Sequence, residues 1–369
     1  MSEILIHTPV GVRDVFGNEY QKKLMVQNMI HNTIASYGFE DIQTPTFEFF
    51  DVFSKEIGTT PSKELYKFFD KEGNTLVLRP DFTPSIARCV AKYFPSEKSP
   101  LRFSYLGNTF TNTSELQGKL KETTEMGAEL INDGSVEADA EMIAMVVDSL
   151  LSAGLKEFQV SVGDVDYFKG LCREVNLDEE TELSVRDCIS IKNFFGAKDI
   201  LTLKGVDDNA SLKILAVDDM VGQADVLKKA KENANNEISF AAIDRLEKLY
   251  QVLCLYGVEK YVSFDLGMLS KYHYYTGVIF KAYTYGVGDA IVKGGRYDKL
   301  LDKFGKNSPA IGFVILIDDL MSALLRQNIS VAVNDEIITV SYSSDEYDTA
   351  LRQARLYRSQ GKRVRLVSK

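Results

Sequence analysis

The chain has 369 residues, of which 45% are hydrophobic and 26% charged, and its formal net charge is −10. That length supports a large core and more than one domain, and the composition is ordinary for a soluble globular protein. The acidic balance disfavours non-specific nucleic-acid binding, whose affinity comes largely from Lys and Arg neutralising phosphates.

The N-terminal MSEILIHTPVGVRD has no basic segment followed by an apolar run, so no signal peptide is expected. No apolar stretch has bilayer length, and the expected location is cytoplasmic. Four cysteines (Cys89, Cys172, Cys188, Cys254) show no C-x-x-C spacing and are expected to be reduced thiols, mostly in the core. Three histidines (His7, His31, His273) lack metal-ligand spacing. No metal and no cofactor is expected.

In chain order, residues 9–15 form a compact Pro/Gly entry. A helix follows from about Asn18 to Tyr37, with Leu24, Met25, Met29, Ile30 and Ile34 at helical spacing and Gly38 as its stop. FEDIQTPTFEFFDVF reads as a strand that reaches Pro45 and continues, at an edge or interface because Pro lacks an N–H. Residues 65–70 and 75–79 read as a hairpin turning at Glu72-Gly73-Asn74. The next helix starts near Pro84, with Thr83 as its cap.

Residues 101–131 alternate apolar side chains (Phe103, Tyr105; Met126, Ala128, Leu130) on either side of a polar loop, which predicts two strands. A loop so placed suits a polyphosphate, which needs Arg, Lys or helix N-terminal N–H groups. Its first part instead offers Thr111, Asn112, Thr113, Ser114 and Glu115. Lys119 and Lys121 come later, and there is no arginine.

Residues 136–153 predict an amphipathic helix with Glu137 and Asp139 at its positive end. A strand over 158–164 and a helix from YFKGL follow. Residues 175–257 read as predominantly helical, and the Lys228–Glu232 charge run as a solvated face. The sheet resumes at 261–267, 274–286 and 289–300, and PAIGFVILIDDLMSALL reads as a long apolar closing helix. From Glu336, a strand, a capped helix ending at Gly361 and a second strand make a β-α-β unit with a parallel pair.

Three acids stand near the mouth of this sheet: Asp81 before a helix, and Glu125 and Glu129 on one face of a strand. Gly127 between them leaves space for a ligand. Two readings stand: a pocket for an ammonium or imidazolium group, or carboxylates on an open sheet face. Tyr274 and Tyr275 point to opposite faces of their strand, one into the core and one presenting a hydroxyl. Residues 294–298, GGRYD, form a tight turn that either admits a ligand or is locked by an ion pair. There is no G-x-G-x-x-G, no P-loop, and no Ser-His-Asp or Cys-His set.

Together these segments resemble the catalytic core of class II histidyl-tRNA synthetases. The resemblance rests on PVGVRDV (9–15), YGFEDIQTPTFE (37–48), LRPDFTPSIAR (78–88), TEMGAELI (124–131), YYTGVIF (274–280), GGRYDKLL (294–301) and PAIGFVILIDDL (309–320). It implies an α+β fold: a class II aminoacyl-tRNA synthetase-like antiparallel sheet flanked by helices, with a helical insertion and a short C-terminal β-α-β unit. The implied domains are a core of 1–174 and 258–330, an insertion of 175–257, and a truncated α/β unit of 334–369.

The departures matter most. The synthetases carry arginines in the second-motif loop, where this chain has Thr111 and Ser114 and, later, Lys119 and Lys121. An arginine before the paired tyrosines is replaced by Ser270, next to Lys271. The third motif's ATP-gripping arginine is replaced by Asp319, a repulsion of roughly a few kcal/mol against a triphosphate. Amino-acid activation needs those cations. With the losses, and the YYTG and LRPDFTP forms, the chain resembles the regulatory-subunit family of ATP phosphoribosyltransferase, paralogues of the synthetases.

That resemblance implies no catalytic residues here, a short catalytic subunit as partner, and a role in the first step of histidine biosynthesis and its feedback control. It implies a homodimer, through the segment around Pro45, inside a hetero-oligomer. The synthetase histidine pocket maps onto Asp81, Thr83, Glu125, Glu129, Tyr274 and Tyr275, which implies a possible histidine site there or at the partner interface. No tRNA and no membrane partner is expected. The competing reading is a divergent, amino-acid-activating synthetase-like enzyme that uses Lys119 and Lys121. A kinase-regulating or tRNA-sensing module is a third, opposed by the acidic charge.

Overall fold

The computed structural model describes residues 6–53, 60–113, 119–269, 274–333 and 336–369. Helix α1 (Gly17–Ser36) ends as expected at Gly38, whose φ of 79° suits glycine. The expected strand through Pro45 breaks in two. Strand β1 (Glu40–Asp41) joins the main sheet, whereas β2 (Phe47–Phe49) belongs to a three-stranded sheet with the hairpin β3 (Lys67–Phe69) and β4 (Thr75–Leu78). Pro45 lies in the connection between them, consistent with its missing donor.

Helix α2 (Thr83–Tyr93) starts where expected, but Thr83 does not cap it. Thr83 is already the first helical residue, and its hydroxyl donates to Glu129 instead. The carboxylate of Asp81 accepts the Thr83 N–H at 3.0 Å. Strands β5 (Leu101–Phe110) and β6 (Glu122–Ile131) pair antiparallel along their full length, from Leu101 opposite Ile131 to Phe110 opposite Glu122. Helix α3 (Val136–Ser152) is capped by the Ser135 hydroxyl, which accepts from Ala138 N–H.

After β7 (Phe158–Asp164) comes α4 (Val165–Glu174), then α5 (Glu179–Ser190), α6 (Phe194–Leu203) and α7 (Asp208–Leu215). A two-residue strand β8 (Val221–Gly222) precedes α8 (Asp225–Asn233) and α9 (Glu237–Tyr256). The charge run on α8 is solvated at Lys228, Lys229 and Glu232, while Lys231 pairs with Asp244 and Glu247 of α9. Helix α9 packs on both α3 and α4. The sheet resumes with β9 (Val262–Asp265), β10 (Val278–Thr284) and β11 (Val292–Arg296).

The expected closing helix is in fact strand β12 (Ala310–Leu316) followed by helix α10 (Ile317–Arg326). A strand buried on both faces loses the alternation that marks a half-buried one, so its apolar run reads like the start of the helix behind it. The nine-stranded sheet runs β1-β5-β6-β12-β11-β10-β7-β9-β8. Its centre is antiparallel, with parallel pairs at β1–β5 and β7–β9. The expected GGRYD turn is also strand: Gly294, Gly295 and Arg296 end β11, and Tyr297 follows it.

A second compact unit comprises residues 15–25 and 331–369. In it, β13 (Ile337–Tyr342) and β14 (Arg363–Ser368) pair in parallel with α11 (Tyr347–Ser359) between them in sequence. The expected cap of α11 is absent: Glu346 holds the cap position, and its side chain makes no capping bond to the helix. The four thiols are free, and only Cys172 is buried, which corrects the expectation that most lie in the core. Among the described residues no helix is long and apolar enough to cross a membrane.

Candidate functional site

The register of three strands builds the site. Glu125, Gly127 and Glu129 of β6 lie opposite Leu316, Val314 and Gly312 of β12. On the next strand, Gly295 lies opposite Gly312 and Lys293 opposite Val314. These residues alternate onto one sheet face, where a cavity of about 170 Å³ is lined by Asp81, Thr83, Glu125, Tyr274, Tyr275 and Lys293, among others. Asp81 and Glu125 line this cavity and Glu129 is buried, so the three acids do not lie on an open sheet face.

Glu129 is 1% exposed and is not itself among the lining residues; it is buried against Thr83, Tyr297 and Gly312, which are. Its carboxylate accepts from the Thr83 hydroxyl at 2.7 Å and from the Tyr297 hydroxyl. It lies flat over Gly312, where an added Cβ would overlap its carboxyl group. Burial pushes its pKa up to about 8, against the two hydroxyl donors and with the help of Asp81. Glu125 is also enclosed by protein, with part of its surface facing the cavity. Burial first, then Asp81, raises its pKa to about 8 as well. The same burial, beside Glu129, holds the Tyr105 and Tyr297 phenols well above their ordinary range.

The space over Gly127 is not left for a ligand, as expected from sequence, but is taken by Tyr105. A Cβ there would lie 2.2 Å from the Phe313 carbonyl oxygen and 2.5 Å from the Tyr105 hydroxyl. Gly127→Ala is therefore expected to lower stability by about 1–3 kcal/mol through overpacking, read as a lower denaturant midpoint. A midpoint equal to that of the parent would refute this.

Tyr274 and Tyr275 do not sit on a strand, so they do not split between two faces. They precede β10, both half-buried and both on the cavity, with ring centroids 4.7 Å apart. Tyr275 packs over Gly295, where a Cβ would meet its ring at 2.8 Å.

Sequence reasoning missed Arg79 and Lys293. Arg79 is buried, donates to the backbone carbonyls of Thr44, Pro45 and Asn108, and stacks 4.0 Å over the Phe82 ring. Its Nε and Nη1 serve the backbone rather than an anion. The available signal was a lone cation at the end of the apolar TLVL strand. Lys293 also went unremarked, although the alternation that places Gly295 on the cavity places Lys293 there too.

Neither cation proposed for a relocated triphosphate site is among the described residues that line the cavity. Lys119 pairs with Asp289 at 3.6 Å, and the stem of Lys121 lies against Gly11. Asp319 stands in the first turn of α10, half-buried, its pKa raised mainly by burial. Its neighbour Asp318 accepts the Thr124 N–H at 2.7 Å. Ser114, Ser270, Lys271 and His273, which entered the sequence argument, lie outside the described residues.

A family model described as histidyl-tRNA synthetase matches residues 11–320. A histidyl-tRNA synthetase from Nostoc sp. has the same fold, with a TM-score of 0.81 at 21% identity, covering 98% of this chain and 85% of that one. Sheet and pocket thus define a class II, histidyl-tRNA synthetase-like protein.

Closer relatives narrow the class. An ATP phosphoribosyltransferase regulatory subunit from Acetivibrio thermocellus is 40% identical over 98% of this chain and 86% of its own length. One from Clostridium kluyveri is 36% identical over 96% of this chain and 91% of its own. A Bacillus halodurans structure described as an ATP phosphoribosyltransferase regulatory subunit/histidyl-tRNA synthetase has a TM-score of 0.90 at 32% identity, covering 99% of this chain and 93% of that one. The chain belongs to the family of ATP phosphoribosyltransferase regulatory subunits.

Proposed function

We propose that this chain serves a two-component ATP phosphoribosyltransferase without catalysing its reaction. A short catalytic subunit joins ATP to phosphoribosyl pyrophosphate, and this chain confers control by histidine. The observation that carries the reading is a contrast within one site. Two acids, Asp81 and Glu125, and two tyrosines line a pocket that suits a cationic amino acid, with Glu129 buried behind it, while Asp319 falls, by the sequence resemblance, at the position of the arginine with which a synthetase grips ATP.

In this reading Asp81, Thr83, Glu125, Glu129, Tyr274 and Tyr275 hold histidine. The acids take its ammonium and imidazole groups by charge-assisted hydrogen bonds. Histidine controls the complex only if it prefers one arrangement of the subunits. The chain forms a homodimer within the hetero-oligomer, by analogy with class II proteins and through the segment around Pro45. Residues 175–257 are its insertion, the complex is cytoplasmic, and no tRNA takes part.

Reconstitution tests the reading. The short catalytic subunit is expected to gain phosphoribosyltransferase activity when this chain is added, and to lose it again on addition of histidine. Unchanged activity and unchanged histidine response overturn it. Histidine- and ATP-dependent pyrophosphate exchange by the chain alone would favour the amino-acid-activating alternative.

A further inference from the structure

We propose that Lys293 is the carboxylate-binding residue of this pocket, so that the ligand is a zwitterionic α-amino acid rather than any small cation. The proposal deepens the pocket assignment above and rests on it.

Lys293 is the one basic side chain among the described residues that line the cavity. Otherwise the polar lining consists of carboxylates and hydroxyls, which select a cation but offer an anion nothing better than hydroxyl donors. Arg79, the other cation near Glu125, has its guanidinium turned to backbone carbonyls. A ligand carrying only positive charge would gain from the acids and be repelled by Lys293. A zwitterion satisfies both.

The sheet sets the spacing. Lys293 lies opposite Val314, and Val314 opposite Gly127, so Lys293 is two strands from the middle of the acidic strand. At strand spacings near 4.8 Å this is about 10 Å between backbones. Glu125 and Glu129 flank Gly127 by two residues, about 7 Å on either side. Of the two, Glu125 lines the cavity with Lys293, and side chains reaching inward from these strands leave a gap that one amino acid bridges. Arg296 points to the other face of β11 and is pinned there by Asp139, which fixes the face that Lys293 presents.

The contacts Lys293 has in the structure do not saturate it. Its nearest acid is Asp289, at 3.8 Å, a separation longer than a hydrogen bond. That carboxylate is half exposed and shared with Lys119. The Lys293 side chain is 27% exposed, so its ammonium is partly desolvated and a second anion gains from it.

The test is isothermal titration of the full chain with L-histidine and with histamine, which keeps the imidazole and the ammonium but lacks the carboxylate. Histidine is expected to bind about tenfold or more tighter than histamine, the worth of one charge-assisted contact. Lys293→Met is expected to bring the two ligands within about twofold of each other, by weakening histidine and by relieving the repulsion of histamine, and continued binding of histamine shows that the pocket is folded. Lys293→Arg is expected to retain most of the preference.

Equal binding of the two ligands by the parent chain, or an unchanged preference in Lys293→Met, overturns the role of Lys293 and leaves the pocket assignment standing. Binding of neither ligand overturns the pocket assignment and this proposal with it.

Discussion

Replacing Asp139 by alanine is expected to destabilise the protein by about 3–5 kcal/mol, the cost of removing one partner from a buried ion pair. Asp139 is fully buried in the first turn of α3. One carboxylate oxygen accepts from Arg296 Nε at 2.9 Å and Nη2 at 2.5 Å, and the other from Arg245 Nε at 2.8 Å. A single aspartate thus neutralises two guanidinium groups, one from β11 and one from α9. Without it, Arg296 retains the half-exposed Asp298 and the Asp133 and Ser135 carbonyls, and Arg245 the Gly134 and Ser135 carbonyls. Neutral acceptors and one partly solvated acid do not replace the buried carboxylate for Arg296, whose side chain is 3% exposed, while Arg245, at 26%, keeps some contact with solvent. Asp139→Asn keeps the shape and loses the charge, so it is expected to show most of the same loss. Chemical denaturation of the parent and both variants measures it, and a loss below about 1 kcal/mol, the scale of an exposed pair, would refute the account.

The β5–β6 hairpin was legible because each strand alternates over ten residues and a polar loop separates them. Helix α1 was legible from its period and its glycine stop. Strand β12 was not, because both of its faces are buried at the centre of the sheet and the alternation is gone. Of the six residues singled out for the pocket, Asp81, Thr83, Glu125, Tyr274 and Tyr275 line one cavity, and Glu129 is buried against its lining residues Thr83 and Tyr297. Their mutual chemistry was out of reach. Glu129 is joined to Thr83 across 46 residues and to Tyr297 across 168, and Arg296 to Asp139 across 157. No local pattern encodes such pairings. The error at Gly127 has the same origin: sequence shows a missing side chain, and only the cross-strand partner, Tyr105, shows what fills the gap.

Histidine binding is expected to strengthen as pH rises toward about 8 and to release protons, because Glu125 on the pocket and Glu129 buried behind it have pKa values that burial has raised to about 8. At neutral pH both are mainly protonated, and a neutral carboxyl attracts an ammonium group far less than a carboxylate does. A cationic ligand therefore binds the form that has lost its proton. Each proton released steepens the affinity by up to about tenfold per pH unit below the raised pKa, and the gain flattens above it. The same raised values fix the sign for stability. Below the unfolded-state value near 4.5 both forms of the chain carry neutral carboxyls, and this contribution is fully present. As pH rises through about 8 the folded state must ionise two buried groups, and the contribution is lost. The unliganded protein should thus weaken across the interval in which the ligand binds more tightly, so that histidine protects it most near pH 8. Calorimetry in buffers of different ionisation enthalpy counts the protons. Glu129→Gln keeps the hydrogen-bonding shape but cannot ionise, and is expected to remove about one proton from the count and to weaken histidine by about 10–100-fold. A parent chain that binds histidine with no buffer-dependent enthalpy would show that these acids are already ionised, and would sink the argument.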